Sequence, residues 1–373
     1  MNINSFLISL IPILSSVVCM IVLLLPFPSW SRRETKELRA ILFAFCILIV
    51  FNWTTLILAF LFADKNQQLF WATLAYILLP IVQYHFVFKL TQEDKQDRFP
   101  WIFYLIPLLL FGTYYLITNL ELGNLEFPNI YNGGTIAPDE EYYSPFMQWI
   151  IYIRFILVIF CVVLSFRRYR NYLRSVVHYS SELRFTTPVW ILTVLALIVF
   201  SAVTTFIPMV GIRVPQAIFY SFLIAISIVL QQVILSFNLI RGNYIYIEDI
   251  DSEVEESPSL PEKEQRVFRQ LTKVSFEKYL TTEKPYLNPE LKITDMIGPL
   301  QTNRTYLSSF INKKYGMNFS RLINLYRLKE YDRLLNIYSK EKDIDHQINH
   351  QLIIRAGFGS YQSYLRAKKL KTE

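Results

Sequence analysis

The chain has 373 residues, of which 53% are hydrophobic and 16% aromatic. Its mean hydropathy of +0.30 is too high for an ordinary soluble protein of this length. The formal net charge is +7, yet residues 261–373 carry 21 Lys and Arg against 12 Asp and Glu, so the remainder is slightly acidic. This uneven charge indicates a polyanion partner for a basic C-terminal part attached to an apolar body.

The cysteines give no sign of a metal centre or a disulfide framework. Cys19, Cys46 and Cys161 lie in separate apolar runs and match no metal-binding spacing. The apolar runs also lack a His, Asp and Glu cluster of catalytic spacing, and no phosphate-binding loop is present. We therefore expect no metal, no cofactor and no enzymatic activity.

Seven apolar runs are long enough to cross a bilayer, which takes about 20 residues. They cover roughly 3–25, 40–62, 69–90, 101–119, 146–166, 187–208 and 215–239. The N-terminus lacks the basic segment of a signal peptide, so the first run is expected to remain as a span. The sequence thus predicts a membrane domain over residues 1–242, built as a seven-transmembrane helix bundle.

The loops between these runs alternate in basic content. Twelve basic residues fall on one side, namely Arg32, Arg33, Lys36, Arg39, Lys89, Lys95, Arg98, Arg167, Arg168, Arg170, Arg174 and Arg184. The opposite side has only Lys65 and Arg213, and its long loop near 120–145 is acidic. Because basic loops stay in the cytoplasm, the N-terminus is predicted outside and the C-terminal domain in the cytoplasm, as in a multi-pass membrane protein.

Arg154 in "WIIYIRFILVIF" is a charged residue well inside a predicted span. A charge at that depth usually faces the bundle interior. Two interpretations stay open: the side chain extends towards the outer interface, or it senses a small anionic ligand. Its candidate partners within the bundle are Asn52, Gln83, Gln231, Gln232 and tyrosine hydroxyls.

Residues 243–262 are predicted to be an acidic linker. From Glu248 to Glu256, six of nine residues are acidic. Such a segment is a charged tether that an anionic inner leaflet would repel, or simply a solvated connection. It separates the membrane domain from a small helical domain over residues 263–373.

The small domain begins with a predicted helix over residues 267–286. A short helix in "NPELKITDMIGPL" then leads through a turn into a second helix, which Asn303 caps and Gly316 closes. A longer helix is predicted over residues 319–338. The pattern therefore reads as short helix, turn, helix, followed by one long helix.

The same pattern recurs in "INHQLIIRAGFGSYQSYLRAKKL". A short apolar helix is followed by a turn at residues 357–359, and Ser360 caps the next helix. Two helix-turn-helix units joined by a long helix are therefore expected.

Three segments resemble the AraC-type helix-turn-helix transcription regulators. They are "YLSSFINKKYGMNF", "INLYRLKEYDRLL" around Arg327, and "AGFGSYQSYLRAKK". The resemblance extends over residues 264–370, about a third of the chain. The family's usual turn glycine of the first unit is Gln301 here. Some bacterial members of the family join this domain to a multi-span membrane region, so the resemblance implies a bacterial inner membrane as the location of this chain.

The resemblance implies two recognition helices that enter successive major grooves of double-stranded DNA. By position, the groove-facing residues are Arg304, Thr305, Ser308, Ser309, Tyr361, Gln362, Ser363 and Arg366. The basic side chains expected at phosphates are Lys313, Lys314, Arg321, Lys368 and Lys369. Arg and Gln can bond base edges bidentately, whereas lysines mainly position the protein on the backbone. Arg327 is instead expected to form a structural ion pair.

Together these features predict an all-α, membrane-tethered, sequence-specific DNA-binding transcription regulator. The expected partners are double-stranded DNA and the lipid bilayer, and an unknown small anionic ligand and a homodimer stay open. The alternative is a membrane transporter or receptor with a regulatory, protein-binding helical tail. Against a transporter, the predicted spans show no paired acids and no obvious inverted repeat.

Overall fold

The computed structural model describes residues 3–27, 33–61, 65–92, 97–119, 145–182, 188–209, 217–245, 271–338 and 346–372. These residues form helices joined by turns and short segments, with one isolated antiparallel bridge between Ser180 and Lys292. Several predictions lie outside the described residues: the acidic stretch from Glu248 to Glu256, the loop over 120–144, and the loop residues Arg32, Lys95, Arg184 and Arg213.

The chain divides into two compact units. Unit 1 contains Met1–Thr91, Arg98–Tyr169 and Val189–Tyr244, and unit 2 contains Gln92–Asp97, Arg170–Pro188 and Ile245–Glu373. Unit 2 therefore includes a stretch near residue 180 that lies inside the predicted membrane domain.

The seven apolar runs of the sequence coincide with seven helices. These are α1 (Ile3–Leu24), α2 (Arg33–Leu61), α3 (Lys65–Leu90), α4 (Ile102–Asn119), α5 (Pro145–Tyr179), α6 (Val189–Met209) and α7 (Ala217–Arg241). Within the described residues, four of these helices are long and apolar enough to cross a membrane, over Phe6–Leu24, Thr35–Leu58, Val189–Ile207 and Phe219–Arg241. A shorter apolar stretch, Leu74–Leu90, lies in α3.

Unit 1 has an apolar exterior and a partly polar interior. In this unit α1 packs against α2 and α7, α2 packs against α3, and α6 packs against α7. Large apolar side chains such as Leu24 and Leu109 are exposed on its outside. Inside, the side-chain amide of Gln83 donates to the side-chain oxygen of Gln231 at 2.6 Å. The side-chain amide of Gln232 donates to the Ser16 hydroxyl at 2.6 Å. A lipid environment favours this pattern of an apolar outer surface and hydrogen-bonded polar groups in the interior.

Unit 2 contains six further α-helices among its described residues. They are α8 (Lys273–Thr282), α9 (Ile297–Leu300), α10 (Arg304–Tyr315), α11 (Phe319–Tyr338), α12 (His346–Arg355) and α13 (Tyr361–Thr372). Two 3₁₀ turns, Pro285–Leu287 and Ile293–Met296, precede α9.

The first helix of unit 2 is shorter than predicted. The sequence favoured a helix over 267–286, whereas α8 starts only after Thr272, whose side chain accepts a hydrogen bond from the Ser275 N–H. After the helix, Lys284 has φ +46°, a left-handed conformation that a continuing helix cannot contain. Residues 267–270 lie outside the described residues.

The predicted caps of the later helices are confirmed. The Asn303 side chain accepts a hydrogen bond from the Tyr306 N–H at 2.7 Å, which fixes the start of α10. Gly316 has φ +66°, and its N–H donates to Asn312 O at 2.9 Å, closing the same helix. The Ser360 hydroxyl accepts from the Ser363 N–H at 3.1 Å at the start of α13.

In the described part of unit 2, two apolar clusters lie along the α11 helix. The first joins buried residues of α8, α10 and the first half of α11, including Phe276, Leu307 and Phe319. The second joins the later part of α11 to α12 and α13, including Tyr331 and Phe358. The first cluster also contains Tyr172, Val176 and Tyr179, which come from the end of α5.

Candidate nucleic-acid interface

The first predicted recognition helix, α10, buries one face and exposes another. Leu307, Phe310 and Ile311 lie in the apolar core of unit 2, as their spacing predicts. Of the residues predicted to face DNA, Thr305 is exposed, and Arg304, Ser308 and Ser309 are half-buried. Lys313, Lys314 and, on the next helix, Arg321 are exposed.

The second predicted recognition helix, α13, is more open on its polar side. Tyr361, Gln362 and Arg366 are exposed, as are Lys368 and Lys369. Ser363 differs, because its side chain is only 3% exposed. Both α10 and α13 pack against α11, so one long helix positions them.

Each of these helices follows a turn residue in the left-handed conformation. Gln301, at the end of α9, has φ +48°, and Gly357, after α12, has φ +94°. A Cβ atom at Gly357 would lie 2.3 Å from the Tyr286 carbonyl oxygen, so only glycine fits. Both turns therefore use a backbone conformation that is costly for ordinary residues, and only the second uses glycine.

The Ser363 side chain is covered by Glu182, a contact that the sequence does not predict. The Ser363 hydroxyl donates to the Glu182 carboxylate at 2.6 Å, and Glu182 is only 4% exposed. Glu182 comes from the short segment directly after α5, 181 residues earlier in the chain. No periodicity or local spacing could have predicted a contact of such sequence separation.

Arg327 is the centre of a hydrogen-bond network in unit 2. Its guanidinium, 1% exposed, donates to the carbonyl oxygens of Tyr286 at 2.7 Å and Asn288 at 2.6 Å. It also donates to the Ser181 carbonyl and hydroxyl, and to the Asn324 side chain. Among the described residues, neutral acceptors thus take the place of the predicted ion pair. Burial lowers the pKa of Arg327 to about 10, while the nearby Glu182 charge opposes this shift.

The end of α5 also lies beside the start of α10. The Arg304 guanidinium carbon is 5.3 Å from the centre of the Tyr179 ring, within the range of a cation–π interaction. Burial, and then the charge of Arg304, lower the pKa of the neighbouring His178. An arginine predicted to face DNA is therefore already engaged by residues that precede Ser180.

The fifth apolar run ends near residue 166, whereas α5 continues to Tyr179. The extension is basic and polar, so it lacks the continuous apolar character of a membrane span. A signal was present: Tyr172, Val176 and Tyr179 follow the i, i+4, i+7 spacing of a helix face, and all three are buried.

Arg154 contacts Tyr76 and Thr205 within unit 1. Its Nε donates to Tyr76 O and its Nη1 donates to Thr205 Oγ1, both at 3.3 Å. Its guanidinium carbon lies 3.0 Å from the centre of the Tyr76 ring. The predicted partners Gln83 and Gln231 bond each other instead.

No group of three or more His, Cys, Asp or Glu side chains in the described part of the chain is arranged to hold a metal ion. Cys19, Cys46 and Cys161 are buried as free thiols. In comparisons with known proteins, the chain matches no family model, no curated protein and no solved structure.

Proposed function

We propose that this chain is a membrane-tethered, sequence-specific DNA-binding transcription regulator, with unit 2 as its DNA-binding domain. One observation supports this most strongly: a short helix, a left-handed turn and a capped helix occur twice, on either side of α11. The turns contain Gln301 and Gly357, and the capping residues are Asn303 and Ser360. Two such units placed by one helix suit contacts with successive major grooves.

The chemistry of the exposed side chains suits this role. Arg366 and Gln362 on α13 have the donor and acceptor groups that read guanine and adenine edges. Lys368, Lys369 and Lys313 add positive charge suited to phosphates. The basic balance of the C-terminal part supports a polyanion as its partner.

We propose that all seven apolar helices cross a bacterial inner membrane, with the C-terminal domain in the cytoplasm, where DNA is accessible. The alternating basic loops support this orientation. Under this proposal the membrane domain anchors the protein or senses a signal, with Arg154 as the residue suited to a small anionic ligand. Assembly as a homodimer is an additional part of the hypothesis, since paired DNA domains read paired half-sites.

The test starts from full-length protein in lipid nanodiscs and a library of random-sequence DNA duplexes. The selected duplex is compared with an unrelated duplex for each variant. Arg366→Ala should weaken binding to the selected duplex about tenfold to a hundredfold and relax preference at one position. Lys369→Ala should weaken both duplexes similarly and reduce the salt slope by about one. Lys278→Ala, at an exposed lysine on α8, is the matched control and should change little.

A library in which no sequence is enriched, with binding equally weak at low salt, would contradict the proposal. That outcome would favour the alternative, a membrane transporter or receptor whose helical tail binds a protein. Equal effects of Arg366→Ala and Lys369→Ala on both duplexes would instead show that the domain binds DNA without reading sequence.

A further inference from the structure

A buried carboxylate lies against the start of the α13 helix. Glu182 Oε1 accepts the Ser363 hydroxyl at 2.6 Å, and both residues are almost completely buried. A Cβ atom built on Gly359, just before the helix, would lie 2.6 Å from Glu182 Oε2. The carboxylate thus occupies the space beside Gly359 and beside the first helical turn of α13.

A helix N-terminus favours negative charge, because its first N–H groups have no helical acceptor and the helix dipole is positive there. A side-chain carboxylate and a DNA phosphate therefore suit the same position. The exposed residues of α13 include the basic side chains Arg366, Lys368 and Lys369. Glu182 is consequently an acid placed where a DNA-binding helix would receive an anion.

The segment that carries Glu182 is attached to unit 2 by several hydrogen bonds. Ser180 forms an antiparallel bridge with Lys292, and the Ser181 N–H donates to Leu291 O at 3.1 Å. Arg327 donates to both the carbonyl and the hydroxyl of Ser181. The Glu182 N–H donates to the Ser180 hydroxyl at 3.2 Å. These contacts make a docked segment rather than a loose connection.

The docked segment directly continues a helix that begins in the other unit. Residues of α5 up to Tyr169 belong to unit 1, and those from Arg170 belong to unit 2. The chain thus runs from α5 directly into Glu182, three residues after the helix ends at Tyr179.

We propose that Glu182 is an internal competitor of DNA. Its carboxylate takes the place of a backbone phosphate at the start of α13 and covers Ser363, and release of residues 180–182 uncovers this end of the helix. The inference rests on the proposed DNA-binding function and adds its regulation: the docked state has low affinity, and the undocked state has high affinity. The signal that reaches the membrane domain would act by shifting this equilibrium.

The test uses full-length protein in nanodiscs and DNA duplexes selected separately with wild type and with Glu182→Ala. Glu182→Gln keeps the acceptor for Ser363 and removes the charge, so it should raise affinity about threefold to tenfold. Glu182→Ala removes both and should raise affinity further. Glu283→Gln changes the net charge equally at an exposed position of the same unit, and should have a clearly smaller effect.

Hydrogen exchange of the wild-type protein supplies an independent measurement. Addition of the selected duplex should reduce protection of the amides of Ser181 and Glu182, because the segment undocks as DNA binds. Unchanged or increased protection there would overturn the competition, whatever the variants do.

Two affinity results also oppose the inference. Weaker binding by both Glu182 variants would make this residue a positioning residue for α13, and effects equal to that of Glu283→Gln would reduce it to a general charge effect.

Absence of selected sequences with wild type and with both variants would instead contradict the proposed DNA-binding function. Selection by Glu182→Ala but not by wild type would support strong inhibition.

Discussion

Arg327 and Ser181 are joined by two hydrogen bonds, from Nη1 to the Ser181 carbonyl at 3.1 Å and from Nη2 to its hydroxyl at 2.9 Å. The same guanidinium donates to Tyr286 O and Asn288 O. One planar group therefore ties the segment after α5 to the connection before α9. Lysine cannot replace this geometry, because its ammonium lacks the planar fork of donors.

We predict that Arg327→Lys destabilises unit 2 by about 3 kcal/mol or more, since several buried carbonyl groups lose their donor. The loss of stability is measured by chemical denaturation of the full chain, with hydrogen exchange of α11 as the readout. Arg321→Lys is the control, because Arg321 lies exposed on the same helix. Equal stability of the two variants would show that the network contributes little.

A second prediction concerns pH and Glu330. This carboxylate accepts two hydrogen bonds from Arg333, at 2.9 and 2.7 Å, and lies 3.7 Å from the Lys284 ammonium. The Arg333 hydrogen bonds hold the pKa of Glu330 below its usual value, although burial acts in the opposite direction. A lowered folded-state pKa means that the carboxylate stabilises the fold above its unfolded pKa, and that this contribution is lost as pH falls through the folded value.

Protection of α11 from hydrogen exchange, corrected for intrinsic rates, should therefore fall as the pH drops below the unfolded-state pKa of a glutamate, about 4.3, and through the lower folded-state pKa of Glu330. In Glu330→Gln this part of the pH dependence should be absent, and stability at pH 7 should be lower than in wild type. Asp332→Asn, at an exposed acid on the same helix, should keep the wild-type profile. A Glu330→Gln profile parallel to wild type would contradict the assignment.

The two turns give a third, opposed pair of predictions. Gln301→Gly should stabilise unit 2 by about 1 kcal/mol, because glycine adopts φ +48° without the strain of a side chain. Gly357→Ala should destabilise it by about 3 kcal/mol or more, because the new methyl group meets the Tyr286 carbonyl.

Gly298→Ala is the matched control for both turn variants. A Cβ atom at Gly298 meets nothing within 4 Å, and the residue lies in α9, so alanine should be neutral or slightly stabilising. Denaturation midpoints of the three variants provide the comparison. Loss of stability in Gln301→Gly would mean that the glutamine side chain contributes more than its backbone strain costs.

Local features of unit 2 were predictable from the sequence because neighbours within four residues determine them. Asn303, Gly316 and Ser360 were identified as caps from residue type and position, and each makes the expected backbone contact. The α11 helix also has its predicted limits, Phe319–Tyr338. Apolar periodicity and capping chemistry were sufficient for these features.

Distant contacts of single polar groups were not predictable. Glu182 lies in a short polar segment without periodicity, and nothing near it points to Ser363. Chemistry alone gives Asn52, three glutamines and tyrosine hydroxyls as candidate partners of Arg154, whereas the Tyr76 carbonyl and ring and the Thr205 hydroxyl are its neighbours in space. A helical pattern gives the face on which a side chain lies, but not which side chain of another helix meets it.

The orientation in the membrane gives the fourth prediction. Reporters inserted after Gly123 and after Arg241 should lie on opposite sides, outside and in the cytoplasm respectively, because twelve basic residues flank one set of loops and two flank the other. Further reporters after Lys65 and after Arg98 should also lie on opposite sides, since α3 would cross between them. Any neighbouring pair found on the same side would contradict the seven-span proposal.

The last prediction separates a structural from a sensory role of Arg154. Two of its five N–H donors bond described protein oxygens, both at 3.3 Å, and its charge rests on the Tyr76 ring. A cation held only by neutral groups is costly in a membrane, so replacement by an apolar residue should cost little stability.

We therefore expect Arg154→Leu to insert and to melt within a few degrees of wild type in detergent. A panel of small anions, including phosphate, acetate and citrate, should contain at least one that raises the melting temperature of wild type but not of Arg154→Leu. Binding at a hundred times Kd corresponds to about 2.7 kcal/mol of stabilisation, enough to detect by thermal unfolding.

Two controls make the interpretation specific. Thr205→Val removes one hydrogen bond of Arg154 and retains its charge, so it should keep the response to the anion. Arg154→Lys retains charge without the planar fork and should respond only weakly. If Arg154→Leu is severely destabilised and no anion of the panel stabilises the wild type, Arg154 has a structural role, joining α5 to Tyr76 of α3 and Thr205 of α6. In that case the signal for release of Glu182 must enter the membrane domain elsewhere.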